Sequence, residues 1–329
     1  MGEKLEKELK WAVLGTGIIA NEMAQALEKM GKKLYAVANR THSKAVEFAD
    51  KYGVQKVYDK IEDMFTDKET DIIYITTPHN THIKFMIEAL KNGKHVLCEK
   101  SITLNSEELE EAVKIAKEKN LILGEAMTIF NMPLYTELSE IVNSGKLGDV
   151  KMIQVNFGSY KEYDMSNRFF NRNLAGGALL DIGVYAISIT RLFMTSKPDN
   201  VLSQVKYAPT GVDEQVGIIM MNKEQQMSTI ALTLHSKQPK RVVIACEKAY
   251  IEITEYPRAD KAKIVYTETG EVEEITAGMT SNALQYELQN MEESVRTGIN
   301  KMKLEYTIDV MDIMTKLRKE WGMTYPEEE

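Results

Sequence analysis

The stretch WAVLGTGIIANEMAQALEKMGKK, residues 11–33, decides the fold. It begins with a short apolar run, turns through two glycines and then repeats apolar residues at the spacing of one helix face, at Met23, Ala26, Leu27 and Met30. A buried strand that leads through a glycine turn into a helix is the opening unit of a doubly wound α/β domain. The segment therefore predicts a domain of that class.

The same alternation continues downstream. Further apolar runs, each separated from the next by a helical pattern, lie at 34–39, 71–78, 95–100 and 121–126. Nearly continuous apolar strands alternating with helices are typical of a parallel sheet that is covered on both faces. We therefore predict that residues 1–126 form a Rossmann-type, doubly wound parallel sheet.

The pattern changes after about residue 130. A helix is predicted at 132–144 and a longer one at 178–194, and strand-like runs joined by short turns lie at 150–158, 215–221, 227–235, 241–246, 249–253 and 262–268. Such runs predict an antiparallel or mixed sheet. We expect residues 127–329 to form a second, α+β domain with an open, mostly antiparallel sheet.

Composition limits the possible partners and locations. With 41 Lys and Arg against 49 Asp and Glu, the formal charge of −8 argues against a nucleic-acid or anionic-membrane partner. Two cysteines, Cys98 and Cys246, exclude a disulfide framework and fit a reducing compartment. The charged opening segment at 3–10 lacks the apolar core of a signal peptide, and no apolar run has the length of a membrane span. We expect a cytoplasmic protein without a metal site, since the five histidines lack metal-ligand spacing.

The glycine turn GTGIIA at 15–20 has the G-x-G-x-x-A form of the dinucleotide fingerprint. Gly15 permits the tight turn, Gly17 lets the backbone approach a pyrophosphate, and the small Ala20 allows close helix–strand packing. The helix N-terminus adds N–H donors and a positive dipole end. We therefore predict that Gly15, Thr16, Gly17, Ile18 and Ile19 contact a dinucleotide; the alternative is an ordinary glycine turn.

The residues after the second strand bear on the choice of dinucleotide. NAD-binding proteins usually carry an acidic residue there, whereas this chain has Asn39-Arg40-Thr41. A guanidinium can pair with a 2′-phosphate, and Lys44 together with the hydroxyls of Thr41 and Ser43 would suit the same group. This favours NADP over NAD, with Arg40 as a solvated loop residue the alternative.

Three segments together resemble the Gfo/Idh/MocA oxidoreductases: GTGIIA (15–20), TTPHNTHIKFMIEALKNGKHVLCEK (76–100) and AGGALLDIGVYAI (175–187). The resemblance implies a Rossmann domain followed by an open-faced sheet domain that pairs sheet to sheet in homo-oligomers. It also implies reversible hydride transfer between a nicotinamide and a sugar, polyol or related diol.

The family's residues carry over where they match. Its T-P-N-x-x-H loop corresponds to Thr77-Pro78-His79-Asn80-Thr81-His82, so the resemblance implies cofactor contacts at Thr77, Pro78, His79, Asn80 and His82. Its E-K-P motif corresponds to Glu99-Lys100-Ser101, where Ser101 replaces the usual, often cis, proline. We expect Glu99 and Lys100 to contact the cofactor and Lys100 also to contact the substrate.

A helix motif of Asp, Gly and then His or Tyr corresponds to Asp181-Ile182-Gly183-Val184-Tyr185. The Tyr form resembles the branch of the family that contains dimeric dihydrodiol dehydrogenase and glucose–fructose oxidoreductase. Ile129 stands where many relatives carry an arginine.

Lys100, Asp181 and Tyr185 suit alcohol/carbonyl chemistry. A free tyrosine has a pKa near 10, but an ammonium at ~4 Å in an effective dielectric near 20 contributes roughly 4 kcal/mol, about three pKa units. Lys100 could therefore activate Tyr185 as the base, and Asp181 would accept from a neighbouring substrate hydroxyl. Alternatively, Tyr185 is a core residue, Asp181 a capping carboxylate and Lys100 a surface strand end.

Arg168 and Arg172 flank Phe169-Phe170-Asn171 and either reach toward an anionic or hydroxyl-rich substrate or form surface ion pairs. We assign Arg168 to substrate binding. The leading hypothesis is an NADP-dependent oxidoreductase acting on a sugar, polyol or trans-diol. The alternatives are a non-catalytic NAD(P)-binding sensor on the same scaffold and an enzyme that holds NAD tightly.

Overall fold

The computed structural model describes residues 8–329, so most of the charged segment predicted at 3–10 lies outside the described residues. Within that range the chain forms two sheets with helices packed against them, and the predicted fold class is confirmed. The first sheet is parallel and has six strands in the order β3-β2-β1-β4-β5-β6, which is the usual strand order of dinucleotide-binding folds. Its strands are β1 (Trp11–Leu14), β2 (Ala36–Ala38), β3 (Lys56–Val57), β4 (Ile72–Ile75), β5 (His95–Glu99) and β6 (Leu123–Ala126).

Helices connect these strands on both faces of the sheet. They are α1 (Ile18–Lys29), α2 (His42–Tyr52), α3 (Ile61–Thr66), α4 (His82–Lys91) and α5 (Ser106–Glu118). The short elements β3 and α3 were not predicted, because two and six residues are too few to establish a hydrophobic period.

The second sheet has eight strands in the order β14-β13-β12-β11-β7-β10-β9-β8. Only the central pair β7–β10 is parallel; the other neighbours are antiparallel. The strands are β7 (Val150–Gly158), β8 (Asn200–Tyr207), β9 (Asp213–Met221), β10 (Met227–Thr233), β11 (Gln238–Cys246), β12 (Ala249–Thr254), β13 (Lys261–Tyr266) and β14 (Val272–Thr276). The edge strands β8 and β14 were not predicted, because their exposed residues weaken the apolar signal.

The remaining helices are α6 (Thr128–Asn131), α7 (Pro133–Asn143), α8 (Val184–Phe193), α9 (Ala283–Thr297) and α10 (Leu304–Trp321). Helices α8 and α10 pack on one face of the second sheet. Helix α9 instead packs beside the first sheet: Trp11 donates from Nε1 to Glu292 at 3.1 Å, and Met291 shares a buried cluster with Met23. A late segment of the chain thus completes the core of the first sheet.

The segment Arg172–Phe193 is long and apolar enough to pass a simple test for a membrane span, with mean hydropathy 1.3 over the best window. Seventy-eight per cent of that window is buried inside the fold, as expected for a core helix. It includes a π-helical turn at Leu179–Gly183, directly before α8. This turn and α8 bring Asp181 and Tyr185 close to Lys100, the residue after β5.

Candidate active site

The glycine turn after β1 is built for close backbone approach. Gly15 has φ +110°, and a Cβ there would lie 2.5 Å from Thr76 Oγ1, at the end of the neighbouring β4. The Gly15 N–H donates to the Ala38 carbonyl at 2.9 Å and ties the turn to the end of β2. Only glycine fits this position, because a side chain would face both an unfavourable φ and a clash.

The start of α1 leaves room and donors for an anion. A Cβ built on Gly17 would meet no atom within 4 Å, and α1 has neither a capping side chain nor an acidic residue in its first turn. Ile18 is 83% exposed. Open backbone N–H groups at a helix N-terminus, next to an exposed apolar side chain, fit a dinucleotide pyrophosphate.

Asn39 is committed to the glycine turn. Its side chain donates to Thr16 Oγ1 at 2.7 Å and accepts from the Thr41 N–H at 2.8 Å. Arg40 and Lys44 are exposed, and neither side chain has an ion-pair partner among residues 8–329. The two cations are therefore available to a ligand at the end of β2.

Two histidines after β4 hold the backbone around Lys100. His79 Nε2 lies 3.0 Å from the Lys100 carbonyl oxygen. His82 is buried, with its ring nitrogens 2.7 Å from the Thr77 carbonyl oxygen and 3.0 Å from that of Ser101. Burial lowers the pKa of His79 to about 3, so its ring is neutral at pH 7, and burial also lowers the pKa of His82.

The Lys100–Ser101 peptide bond, where the family usually has proline, is cis. The Ser101 hydroxyl is buried and donates to the Leu180 carbonyl at 2.9 Å. Asn80 points elsewhere: its amide donates to Glu327 and, at 3.4 Å, to the Asn173 carbonyl. In this structure its side chain is therefore engaged with the later part of the chain.

Lys100, at the end of the first sheet, contacts the π-helical turn that precedes α8. Its Nζ donates to the Asp181 carbonyl at 2.7 Å, lies 3.3 Å from Asp181 Oδ1 and sits 5.0 Å from the centre of the Tyr185 ring. Burial disfavours its ammonium, but Asp181, Tyr185 and Glu99 together raise its pKa above the usual value. Burial also opposes ionisation of Asp181, yet Lys100 and Arg168 lower the pKa of that carboxyl. The pair is therefore charged at neutral pH.

The pKa of Tyr185 differs from the expectation that Lys100 lowers it. Burial raises its pKa, and Lys100 lowers it only in part, so the net shift is upward. The expected direction of the Lys100 effect is present, but desolvation of the phenol outweighs it. Among the described residues, the Tyr185 hydroxyl has no hydrogen-bond partner, which leaves it available to a ligand.

Glu99 completes the end of β5. It accepts a hydrogen bond from the buried Tyr74 hydroxyl, and burial raises its pKa.

The two arginines predicted near the substrate lie in different places. Arg168 Nη1 lies 3.6 Å from Asp181 Oδ1, whereas Arg172 donates to the Thr324 carbonyl at 2.8 Å and pairs with Glu329. The structure thus brings Arg168, but not Arg172, to the site. Ile129 is fully buried.

Sequence reasoning missed Asp213, which fixes the helix that carries Asp181. Asp213 is buried and its Oδ2 accepts from the Leu179 N–H at 2.6 Å. Gly177, at φ +127°, passes so close that a Cβ would lie 2.1 Å from Asp213 Oδ1. The Tyr325 hydroxyl donates to the Gly176 carbonyl at 2.7 Å. Burial raises the pKa of Asp213 to about 7.

Glu125 was also missed. It is buried at the end of β6, where it accepts from the Ile102 N–H at 3.1 Å and from the Thr307 hydroxyl at 3.0 Å. It therefore links the segment after Lys100 to α10, and burial raises its pKa to about 7. The one sign of a special role in the sequence was a charged residue, Glu125, inside the apolar run LILGEA. Its hydrogen-bond partners are distant in sequence and could not be predicted.

Comparison with known proteins matches both parts of the chain. A family model described as the GFO/IDH/MocA oxidoreductase family with an NAD-binding Rossmann fold matches residues 9–127. The GFO/IDH/MocA C-terminal domain matches residues 135–252.

Similar proteins span nearly the whole chain. Trans-1,2-dihydrobenzene-1,2-diol dehydrogenase from Xenopus laevis is 30% identical over 96% of this chain and 99% of the relative, and the Homo sapiens protein of the same name is 27% identical over 97% and 99%. Among solved structures, the 3-ketoreductase KijD10 from Actinomadura kijaniata, with NADP and TDP-benzene, has a TM-score of 0.85 at 18% identity, covering 95% of this chain and 98% of its own. Levoglucosan dehydrogenase with NADH and levoglucosan has a TM-score of 0.83 at 16% identity, with the same coverage. At these identities the two structures establish the fold.

Proposed function

The chain belongs to the GFO/IDH/MocA oxidoreductase family, and we propose that it is an NADP-dependent dehydrogenase acting reversibly on the hydroxyl or carbonyl group of a sugar, polyol or trans-diol. The observation that carries this proposal is the position of the Lys100 ammonium, which pairs with Asp181 and lies 5.0 Å from the centre of the Tyr185 ring, in a chain that also has an open glycine turn after β1. A binding protein without catalytic activity has no need for this proton-transfer geometry.

The diol class is supported by two relatives, 30% and 28% identical to this chain, which are named as dehydrogenases of trans-1,2-dihydrobenzene-1,2-diol. A vicinal diol offers two oxygens, one that loses its proton and one that can be held. Tyr185 and Asp181, both beside Lys100, match those two demands.

In the oxidation direction, Tyr185, Lys100 and Asp181 each have a different role. In its ionised form the Tyr185 oxygen takes the proton of the reacting hydroxyl, and the Lys100 ammonium, 5.0 Å from the centre of the Tyr185 ring, stabilises that ionised form electrostatically. Asp181, held ionised by Lys100 and Arg168, accepts a hydrogen bond from the neighbouring hydroxyl and fixes the substrate's orientation. When bound along Gly15–Ile19 and the end of β2, NADP supplies the hydride acceptor.

NADP is favoured over NAD by the charge at the end of β2. Asn39 is engaged with Thr16 and Thr41, no carboxylate occupies this position, and Arg40 and Lys44 are exposed. Arginine is well suited to a 2′-phosphate because its planar fork donates two parallel hydrogen bonds.

We also propose a homo-oligomer that packs through the open face of the second sheet. Cross-strand register aligns one apolar row over seven strands: Met221, Met227, Met152, Ala245, Tyr250, Val265 and Val272. The helices cover the opposite face, so this row faces outward in one chain. A cytoplasmic location is proposed as well, since Cys98 and Cys246 are both free.

The test is nicotinamide absorbance, measured in both directions with NADP and NAD. The substrate panel contains aldoses, inositols, dicarbonyl sugars and trans-dihydrodiols, with Lys100→Met as the inactive control. Turnover that prefers NADP and is lost in Lys100→Met supports the proposal. Tight NADP binding without turnover on any panel member would instead favour a sensor.

A further inference from the structure

We propose that Lys161 and Arg168 form an anion-binding subsite, and that the substrate carries a carboxylate or phosphate group that this subsite binds. The inference rests on the proposed dehydrogenase function of the same site and narrows its substrate class. It assigns a role to Lys161, which the sequence analysis did not single out.

Lys161 and Arg168 converge on one aromatic side chain. Lys161 Nζ and Arg168 Cζ each lie 4.1 Å from the centre of the Phe169 ring. The backbone of Lys161 is fixed by a 2.7 Å hydrogen bond from its N–H to the Leu234 carbonyl. The two cations are therefore presented by a defined segment between β7 and α8.

This pair faces the catalytic carboxylate. Arg168 Nη1 lies 3.6 Å from Asp181 Oδ1, the same oxygen that Lys100 contacts at 3.3 Å. Lys161 is close enough for Asp181, Arg168 and Lys100 all to influence its titration. A ligand oriented by Asp181 would therefore lie within the field of all three cations.

Positive charge exceeds negative charge at this point. One carboxylate, Asp181, is shared by Lys100 and Arg168, while Lys161 has no carboxylate at ion-pair distance within residues 8–329. The nearby Lys240 is already paired with Glu255 at 2.9 Å. Glu99 also lies near Lys100, but it accepts from Tyr74 and burial disfavours its charge.

A half-buried ammonium without a carboxylate partner is costly, and burial lowers the pKa of Lys161 accordingly. An anionic group on the ligand would offset this cost and pair with the guanidinium fork of Arg168. A neutral polyol would leave the excess positive charge uncompensated. The geometry therefore favours an anionic hydroxy substrate over its neutral counterpart.

The experiment compares matched neutral and anionic ligands on the NADP-saturated enzyme. D-glucose is paired with D-glucuronate for the carboxylate arm and with D-glucose 6-phosphate for the phosphate arm, and myo-inositol is paired with its monophosphate. Calorimetric Kd and steady-state kcat/KM are measured for wild type, Lys161→Gln and Lys248→Gln. Lys248 is an exposed lysine in the turn between β11 and β12, and it serves as the matched control.

We expect the wild type to bind the anionic member of at least one pair about ten-fold or more tightly than the neutral member. Lys161→Gln should reduce this preference about ten-fold, mainly through KM, whereas Lys248→Gln should keep it. The arm that shows the preference identifies carboxylate or phosphate as the anion.

Equal binding of both members in every pair, or an unchanged preference in Lys161→Gln, would overturn the subsite. A charge preference that depends on Lys161 without turnover would leave the subsite standing and remove the dehydrogenase proposal. Turnover without a charge preference would support the dehydrogenase proposal and overturn the anion-binding subsite.

Discussion

Lys100 determines what the other site residues can do. Its ammonium keeps Asp181 ionised, lies against the Tyr185 ring and follows directly after β5, where open α/β sheets bind their ligands. Burial opposes the charged form of all three residues, but neighbouring charges offset it to different extents. It makes the phenol harder to ionise, while the adjacent opposite charges keep Lys100 and Asp181 charged.

The direction of the Tyr185 shift predicts the pH dependence. Oxidation needs a Tyr185 oxygen that can accept a proton, and the pKa of this group lies above its usual value of 10.0. Oxidation kcat/KM should therefore keep rising up to pH 9. Rate profiles between pH 6 and 10 test this, and a wild-type plateau below pH 8 would contradict it.

The preference for NADP over NAD is expected to depend on Arg40. Arg40→Ala removes a cation that has no protein partner among the described residues, so we expect the loss to appear mainly in ligand binding. NADP affinity should fall about 10- to 100-fold, equivalent to roughly 1.5–3 kcal/mol for charge-assisted hydrogen bonds. Calorimetric titration measures both dinucleotides, and NAD affinity serves as the internal control. An equal loss for NAD would refute the assignment of Arg40 to the 2′-phosphate.

At the residue scale, sequence reasoning reached the groups that lie inside motifs. Lys100, Asp181 and Tyr185 were predicted together, and the structure brings them together. Asp213, Glu125 and Lys161 were not predicted, because each acts through contacts with residues that are distant in sequence or on another element. The upward shift of the Tyr185 pKa could not be predicted from the sequence either, because it depends on how deeply the folded chain buries the phenol.

The element that matters most is the π-helical turn and α8, which carry Asp181 and Tyr185. Its N-terminus is fixed by Asp213, and Gly177 lets that carboxylate approach the backbone, while Gly176 passes close to the Arg168 and Phe169 carbonyls. This gives a physical reason for the AGGALLDIG segment: a side chain at Gly177 would occupy the position of Asp213 Oδ1.

Gly177→Ala should therefore impair both stability and activity. We expect the free energy of unfolding to fall by about 2–4 kcal/mol, from the strained φ and the displaced carboxylate, and kcat to fall because Asp181 and Tyr185 move. Chemical denaturation and turnover measure the two effects. Gly217→Ala is the control, since a Cβ there meets nothing within 4 Å. Equal stability of the two variants would show that the Asp213 contact is unimportant.

Prediction of elements succeeded where periodicity was long enough. The predicted strand at 150–158 coincides with β7, and the alternation of strand and helix up to 126 gave the parallel sheet. Strand order could not be obtained in this way: the parallel pairing of β7 with β10 joins strands far apart in sequence. Nor could the sequence indicate that α9 packs beside the first sheet.

At the scale of the whole molecule, one face of the eight-stranded sheet carries exposed apolar residues opposite the face on which α8 and α10 pack. Along its outer face, Leu202 is 62% exposed, Ile219 46% and Met152 40%. Apolar rows of this size on one face are unusual for a monomer and typical of a subunit interface.

Ile219→Asp should consequently weaken self-association. Buried at an interface, an unpaired carboxylate costs several kcal/mol, so the oligomer should dissociate toward the single-chain mass of 37.4 kDa. Light scattering coupled to size-exclusion chromatography gives the mass. Ile299→Asp is the control, since Ile299 is 68% exposed and lies outside the sheet. A wild-type protein that is monomeric at micromolar concentration would contradict the proposed interface.

The central claim, that Tyr185 transfers the substrate proton with the help of Lys100, is tested most directly by Tyr185→Phe. Steady-state turnover should be compared between wild type and Tyr185→Phe on the best substrate of the panel, with the NADP Kd measured on both proteins. We predict that kcat falls by about 10²- to 10⁴-fold while the Kd stays within about two-fold, because only the proton acceptor is removed. A variant that retains near wild-type kcat would contradict this mechanism.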